Sequence, residues 1–388
     1  MAKTYPAKWF NESMQGASQT GDNDAGTMIA LLKACLVDGF GALAPETIVF
    51  DSETGWAKAS FSAGHSYLKH SIISCSGSIP TEYNGEHRVM QVTTNDMWFE
   101  LDSEPATGAT GSLEIKIAPL GWEITHQNTE QNIIIFKPAG NLGNVSLRVD
   151  NSPYSGWSGT YARLMKVETV ENVTDVNTYE LIKEHIWPAS GKYSDHKWDL
   201  VGDSRIIFFM PEYGTAKNQA GFYAGYIDTI RPGDNYHFWS NSLGSTAIND
   251  RWDRVSSSDN YYTTFLANNV DSLSFIARGY HQVEGTVDAK KMGFGVCNSD
   301  VLSLPNKADN GFYINAEPAM LLETQDTFRG TIPLMVAPLS NNFAYHRRVL
   351  QELPNFPGKM FHLLQSTYST NASLPSSLVG FDVSTVEV

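Results

Sequence analysis

Between Gly26 and Gly41 the apolar positions repeat with the period of a helix. Met28, Leu31, Leu32, Cys35 and Leu36 fall at i, i+3, i+4, i+7 and i+8 and form one stripe. Thr27 or Asp24 offers a side-chain oxygen to the free N–H groups of the first turn, and Gly39 stands where a left-handed cap costs least. The opposite face carries Ile29, Ala30 and Val37, with only Lys33 and Asp38 charged, so the pattern predicts a helix buried on several sides. The segment is too short, and too interrupted by Lys33, to cross a bilayer, which needs about 20 apolar residues. It also lacks the basic start and small-residue cleavage site of a signal peptide.

Everything after the helix reads as strands and turns. From Glu46 to Ala118 the stretches "ETIVF", "AKASFS", "YLKHSIISCS", "HRVMQVTT", "DMWFELD" and "SLEIKIAP" alternate with turn signals at Glu53–Gly55, Ser76–Gly77 and Asn84–Gly85. Leu113, Ile115 and Ile117 alternate with polar neighbours, as in a half-buried strand. This spacing predicts a small β-barrel or sandwich module over 45–118, with Asn84–Gly85 as a tight hairpin turn and 103–112 as a hairpin loop. Strand-like runs then continue to the C-terminal region, among them "NIIIFK", "SLRVD", "YARLMKVETV", "SRIIFFM", "NYHFWS", "TIPLMVAP" and "KMFHLLQS". "NTYELIKEHIW" (177–187) is the one place where a short helix competes. No repeat of fixed period argues for a propeller or solenoid. The fold expected is mainly β: an N-terminal lead and helix (1–44) packing on a large β-rich domain (119–388), with the small module inserted between them.

Composition narrows the function classes. Apolar residues make up 41% of the 388 positions and charged residues only 18%, below the roughly 25% of an ordinary soluble domain. The formal charge of −15 disfavours binding to phosphate backbones, and the short "YHRR" (Tyr345–Arg348) reads as a solvated loop. Nucleic acid and membrane are therefore not expected partners. Cys35, Cys75 and Cys297 are odd in number and show no metal-clamp spacing, which points to assembly in a reducing cytoplasm without a disulfide framework. The Asn172–Thr174 glycosylation match is then coincidental.

No catalytic motif stands out: there is no G-x-S-x-G elbow, no H-E-x-x-H and no P-loop. His65 and His70, five apart around a strand-like "SYLK", would lie on opposite faces and could not share a metal. Asp195, His196 and Asp199 invite a metal or acid/base reading, but a polar turn entering the strand "KWDLV" is the plainer one. Asp203, Asp228 and Asp234 stand near strand ends, where a glycosidase would need two carboxylates at a fixed separation. The sequence thus suggests no catalytic, cofactor or metal residue. Tyr236, Trp239 and Trp252 are the aromatics that could stack on a glycan, fill a subunit interface, or simply be core.

The order of motifs resembles a family of structural proteins from tailed-bacteriophage virions. The resemblance is carried by "GTMIALLKACLVDGFG" (Gly26–Gly41), "AGHSYLKH" (Ala63–His70), "NGEHRVMQVTTNDMWFEL" (Asn84–Leu101) and "KIAPLGWE" (Lys116–Glu123). Further on, "SLRVD" (Ser146–Asp150), "WDLVGDSRIIFF" (Trp198–Phe209) and "RGTIPLMVAPLSN" (Arg329–Asn341) match as well. After "GWE" the chain departs from the family's pattern with "ITHQNTEQNIIIFK". The resemblance implies a non-enzymatic virion component, assembled in the bacterial host cytoplasm. It would act by protein–protein contacts as one copy of a homo-oligomeric ring or cluster with other virion proteins. Its first placement would be the tail (tip, baseplate or neck). Capsid-surface decoration, or a module that binds a carbohydrate receptor on the host, are the alternatives.

Overall fold

The computed structural model describes residues 3–20, 24–153, 164–189, 196–213, 218–219, 221–242, 274–278, 285–292, 306–315, 317–323, 327–339, 343–367 and 377–387. The chain is mainly β, with strands over 52% and one short helix among the described residues. That helix, α1 (Thr27–Lys33), runs directly into a π-helical turn (Ala34–Asp38) closed by the Gly39 N–H donating to the Ala34 carbonyl at 2.9 Å. All five stripe residues are buried, and Ile29 joins them, while Ala30 faces solvent.

The cap is not the local one expected. Gly26 is the N-cap, in the left-handed region, and the first turn is satisfied by Asn151, whose Oδ1 accepts from the Gly26 and Met28 N–H groups at 2.9 and 3.3 Å. Thr27 instead donates its hydroxyl to the Asp24 carbonyl (2.8 Å). At the other end, the Cys35 carbonyl accepts from Leu120 N–H, and the Leu36 carbonyl accepts from Gly121 and Trp122, each at 2.9 Å. The helix is thus held at both ends by residues distant in sequence.

Two short strands precede α1, β1 (Lys3–Thr4) and β2 (Lys8–Asn11). After it, β3 (Phe40–Leu43), β4 (Thr47–Asp51), β5 (Trp56–Ser60), β6 (Ile72–Ile79), β7 (Gly85–Val92), β8 (Asp96–Glu100) and β9 (Thr110–Ile117) form one seven-stranded antiparallel sheet in the order β3-β9-β6-β7-β8-β5-β4. Small and large side chains oppose across its buried face, Ala57 against Phe99 and Ala59 against Met97, which lets the sheet curl over its own core. β3 lies before the expected module boundary at 44–45 yet pairs with β9. Residues 103–112 do not form a hairpin loop, because β8 and β9 are not neighbours; β9 crosses over to lie between β3 and β6. The Asn84–Gly85 turn also differs from expectation. Asn84 is extended, and its side chain bridges the Ser78 N–H and carbonyl at 2.9 Å each, so a side-chain clasp closes this connection in place of a two-residue turn. The glycines of "DGFG" answer to crowding: a Cβ on Gly41, at φ 69°, would stand 1.9 Å from the Gln15 carbonyl oxygen.

The second sheet runs in sequence order through β10 (Glu123–Gln127), β11 (Ile133–Lys137), β12 (Ser146–Asp150), β13 (Leu164–Asp175) and β14 (Thr178–Pro188). The competing helix over 177–187 is therefore a strand. Its ladder with β13 extends from Leu164↔Pro188 to Asp175↔Thr178, and that pairing outweighs a stripe only partly helical in period. A third, eleven-stranded sheet begins at β2, paired with β15 (Trp198–Gly202). It continues through β16 (Ile206–Tyr213) and on to β18 (Phe222–Tyr226), β20 (Phe238–Asn241) and β21 (Ser274–Ala277), with the short β17 (Asn218–Gln219) beside β16 and β19 (Asp228–Thr229) at the far edge. A fourth sheet gathers the C-terminal strands, including Arg348–Gln351, Met360–Thr367 and Ser377–Asp382. Finally β1 pairs antiparallel with Val386–Glu387.

Candidate functional site

The aromatics singled out in the sequence have different fates. Trp239 is fully buried because β20 lies between β18 and β21; its ring stacks on Tyr223 with centroids 3.6 Å apart. Its indole N–H donates to Ser274 Oγ at 2.9 Å, and the Tyr223 hydroxyl donates to the same oxygen at 2.8 Å. Trp239 presents no face to a sugar, a correction to its candidacy as a glycan platform. Tyr236 is half-buried and donates its hydroxyl to Glu171 Oε2 at 2.8 Å. Trp252 lies outside the described residues, as do Asp195 and Cys297.

His65 and His70 sit in a loop between β5 and β6 and not in a strand. His65 packs its ring against Phe61 and Tyr67, while His70 is buried at φ 71°. Asp199 lies inside β15, not in a turn before it, and His196 is fully buried beside it in the chain. The strand-end carboxylates are tied to arginines. Arg205 joins Asp203 (3.1 Å) to Asp228 (2.7 Å), and Arg329 joins Asp234 (2.9 Å) to Glu323 (3.2 Å). Among the described residues no group of three or more His, Cys, Asp or Glu is arranged to hold a metal. An open groove of about 460 Å³ runs along the helix, lined by Ala30, Lys33, Ala34, Asp38, Gln127 and Glu130.

What the structure does assemble is a set of buried arginine joints between distant segments. Arg88 of β7 is 2% exposed; its Nη2 donates to the Val383 carbonyl at 2.8 Å, its Nη1 to the His70 carbonyl at 3.3 Å, and its guanidinium lies 5.4 Å from the Tyr5 ring centroid. Glu100, 3.9 Å from Arg88, also accepts from Lys3 Nζ (2.7 Å) and the Tyr5 hydroxyl (3.0 Å). One cluster thereby fastens the seven-stranded sheet to both β1 and the C-terminal segment. Arg148 of β12 donates to Glu168 Oε2 at 2.5 Å and to the Val176 carbonyl at 2.7 Å, bracing the β13–β14 hairpin.

The most extended joint is at Arg347. Its Nη1 and Nη2 grip both oxygens of Glu12 at 2.8 and 2.6 Å, its Nε donates to Asp199 Oδ1 at 2.8 Å, and Nη2 also reaches the Trp198 carbonyl at 3.2 Å. "YHRR" is therefore not a solvated basic loop: Arg348 is exposed, but Arg347 turns inward. Burial favours the neutral acid and pushes Asp199 up to about 6, against the pull of Arg347. Burial likewise presses His346 down to about 4 and His362, stacked on Trp9 at 4.4 Å, down to about 3. A sequence signal for one of these joints existed: Arg148 stands between Leu147 and Val149 in a strand-like run, and a buried charge requires a partner. Nothing local marks Glu12 or Arg347, since their partners are hundreds of residues away. No family model matches this chain, and no curated protein matches it.

Proposed function

We propose that this chain is a non-enzymatic structural component of a tailed-phage virion, acting through protein–protein assembly, with the tail (tip, baseplate or neck) as its place. The observation that carries the reading is where the resemblance falls on the fold. The charged and aromatic residues of the matched motifs are largely taken up in holding segments together. Arg88 of "NGEHRVMQ" (with Glu100), Arg148 of "SLRVD", Asp199 and Arg205 (with Asp203) of "WDLVGDSRIIFF" and Arg329 of "RGTIPL" all serve buried or half-buried ion pairs. Trp122 of "APLGWE" donates its indole N–H to the Asp203 carbonyl at 2.9 Å, plugging the junction between α1 and the large sheet. Such a pattern suits a part selected for rigidity, in which each subunit must present a fixed surface to neighbours in a symmetric ring or cluster. Its partners are then other virion proteins and further copies of itself.

Immunogold labelling of purified virions with an antibody against residues 45–118 tests this. Gold at the tail or neck is the expected result, and gold over the head would reassign the protein to capsid decoration. Absence of the protein from virion mass spectrometry would refute the structural role. Alanine at Tyr236 with assembly intact and cell binding lost would favour the receptor-binding alternative.

A further inference from the structure

Asp199 carries an unusual asymmetry. Its Oδ1 is held by Arg347, but its Oδ2 is buried with no hydrogen-bond donor. The nearest charged-capable group is His346, whose Nε2 is 3.8 Å away. The Gln365 N–H donates to His346 Nδ1 at 3.0 Å, which keeps that nitrogen an acceptor and the ring neutral, with its single proton on Nε2. Gln219 on β17 donates one amide N–H to the Met210 carbonyl at 3.1 Å, and its amide also faces Asp199, where it favours the ionised carboxylate and opposes the effect of burial. Around this point stand Glu12 from the end of β2, Arg347 and His346 from the C-terminal loop, His362 from the strand Met360–Thr367, and Lys197 with Glu212 at the surface end of β15 and β16. With the histidines neutral, Glu12 and Asp199 contribute two negative charges against the single positive charge of Arg347. The joint is therefore one proton short of balance, and the carboxylate with the free oxygen, Asp199, is its fully buried member while Glu12 and Arg347 are half-buried.

We propose that Asp199 is a proton-binding switch within this joint: acidification adds one proton to its free oxygen, Oδ2, and brings Glu12, Asp199 and Arg347 together to zero net charge. The reaction is simple uptake, one proton from water becoming one O–H bond on the carboxyl, with no other bond broken. His346 does not take the proton, because its second nitrogen is already occupied as an acceptor. The neutral joint then holds the β2–β15 edge to the C-terminal sheet without the cost of an uncompensated buried charge. Acid tightens this contact while it loosens surface ion pairs.

The test is carbon-13 NMR of the full chain labelled at the aspartate carboxyl carbons, titrated from pH 8 to 3, with Asp199→Asn used to assign the Asp199 signal. The expected result is one aspartate signal, absent in D199N, that titrates near pH 6. Should D199N fail to fold, Glu12→Gln identifies the group instead: removing the neighbouring negative charge shifts the same late-titrating signal to lower pH. A second readout is the urea midpoint of wild type minus that of D199N, which rises as pH falls from 8 to 5. An Asp199 signal that titrates at or below 4, a late signal unmoved in E12Q, or a pH-independent midpoint difference would each overturn the proposal.

Discussion

At Arg347 one side chain binds two carboxylates and a carbonyl while its own backbone sits at φ 60°, a conformation that costs a non-glycine residue about 1 kcal/mol or more. The strain persists because the side chain's partners fix it from three directions. Arg347→Ala leaves Asp199 and Glu12 facing each other without a counter-charge, and its expected cost is about 3–5 kcal/mol by urea unfolding. Arg347→Lys recovers only a small part, since a point charge cannot reproduce the two-pronged grip on Glu12. Equal stability of the lysine variant and wild type would contradict this account. Gly41 makes a different kind of demand. Alanine there meets the Gln15 carbonyl at a separation no contact allows, so Gly41→Ala is expected to lower stability by roughly 3 kcal/mol or more, read as a fall in the thermal midpoint. The sequence marks Gly39 as a helix stop, but it carries no sign of what Gly41 is for. The crowding comes from residue 15 folding back across the turn, and no local pattern encodes that approach.

Among the elements, α1 shows which features of the chain are readable and which are not. Its buried stripe follows from a 3.6-residue period within a dozen positions, and every stripe residue is in the core. Its caps come from Asn151 and from residues 120–122, so the local candidates Asp24 and Thr27 misled. Asn151→Ala is expected to cost about 1–2 kcal/mol and to speed amide hydrogen exchange at the start of the helix, while the strands of the β3–β9 sheet keep their protection. Unchanged exchange at Met28–Leu31 would show that the helix does not depend on that distant cap. The strands of 46–118 were legible by alternation and turn residues, whereas their order was not, because β9 reaches past β8 to pair with β6 and β3. The β13–β14 hairpin illustrates the same limit: "NTYELIKEHIW" becomes a strand through a partner, not through its own period. Trp239 likewise could be read as core, interface or sugar platform until its neighbours β18 and β21 were in place.

Over the whole molecule, buried histidines set the response to acid. Burial holds His70 and His346 near 4 and His185 and His362 near 3, all below their usual value. A group depressed in the folded state contributes stability above its unfolded pKa of about 6.5, and that stability is lost as pH falls through the folded value. Asp199 works in the opposite sense, contributing as pH drops below about 6. These depressed imidazoles outweigh one raised carboxyl, so the thermal midpoint is expected to fall from pH 7 to pH 4 and to go on falling toward pH 3 through His185 and His362. A flat profile across that range would contradict the burial of these rings. Few of these groups are identifiable from sequence: His185 and His362 lie in strands, where a histidine looks the same whether it faces water or core, and His70 and His346 lie in turns with nothing local to show that they are covered.

The placement of β2 at one end of the eleven-stranded sheet has a consequence for synthesis. Lys8 pairs with Gly202 and Asn11 with Asp199, so β2 leaves the ribosome long before the ladder partner it needs. At about 5–20 residues per second, that interval is on the order of 10–40 s. During it, residues 40–117 can complete their own sheet, while β2, with Trp9 and Phe10, waits without its ladder partner. The lag makes translation speed, and any chaperone that shields "KWFN", a determinant of how much of this protein reaches its final shape.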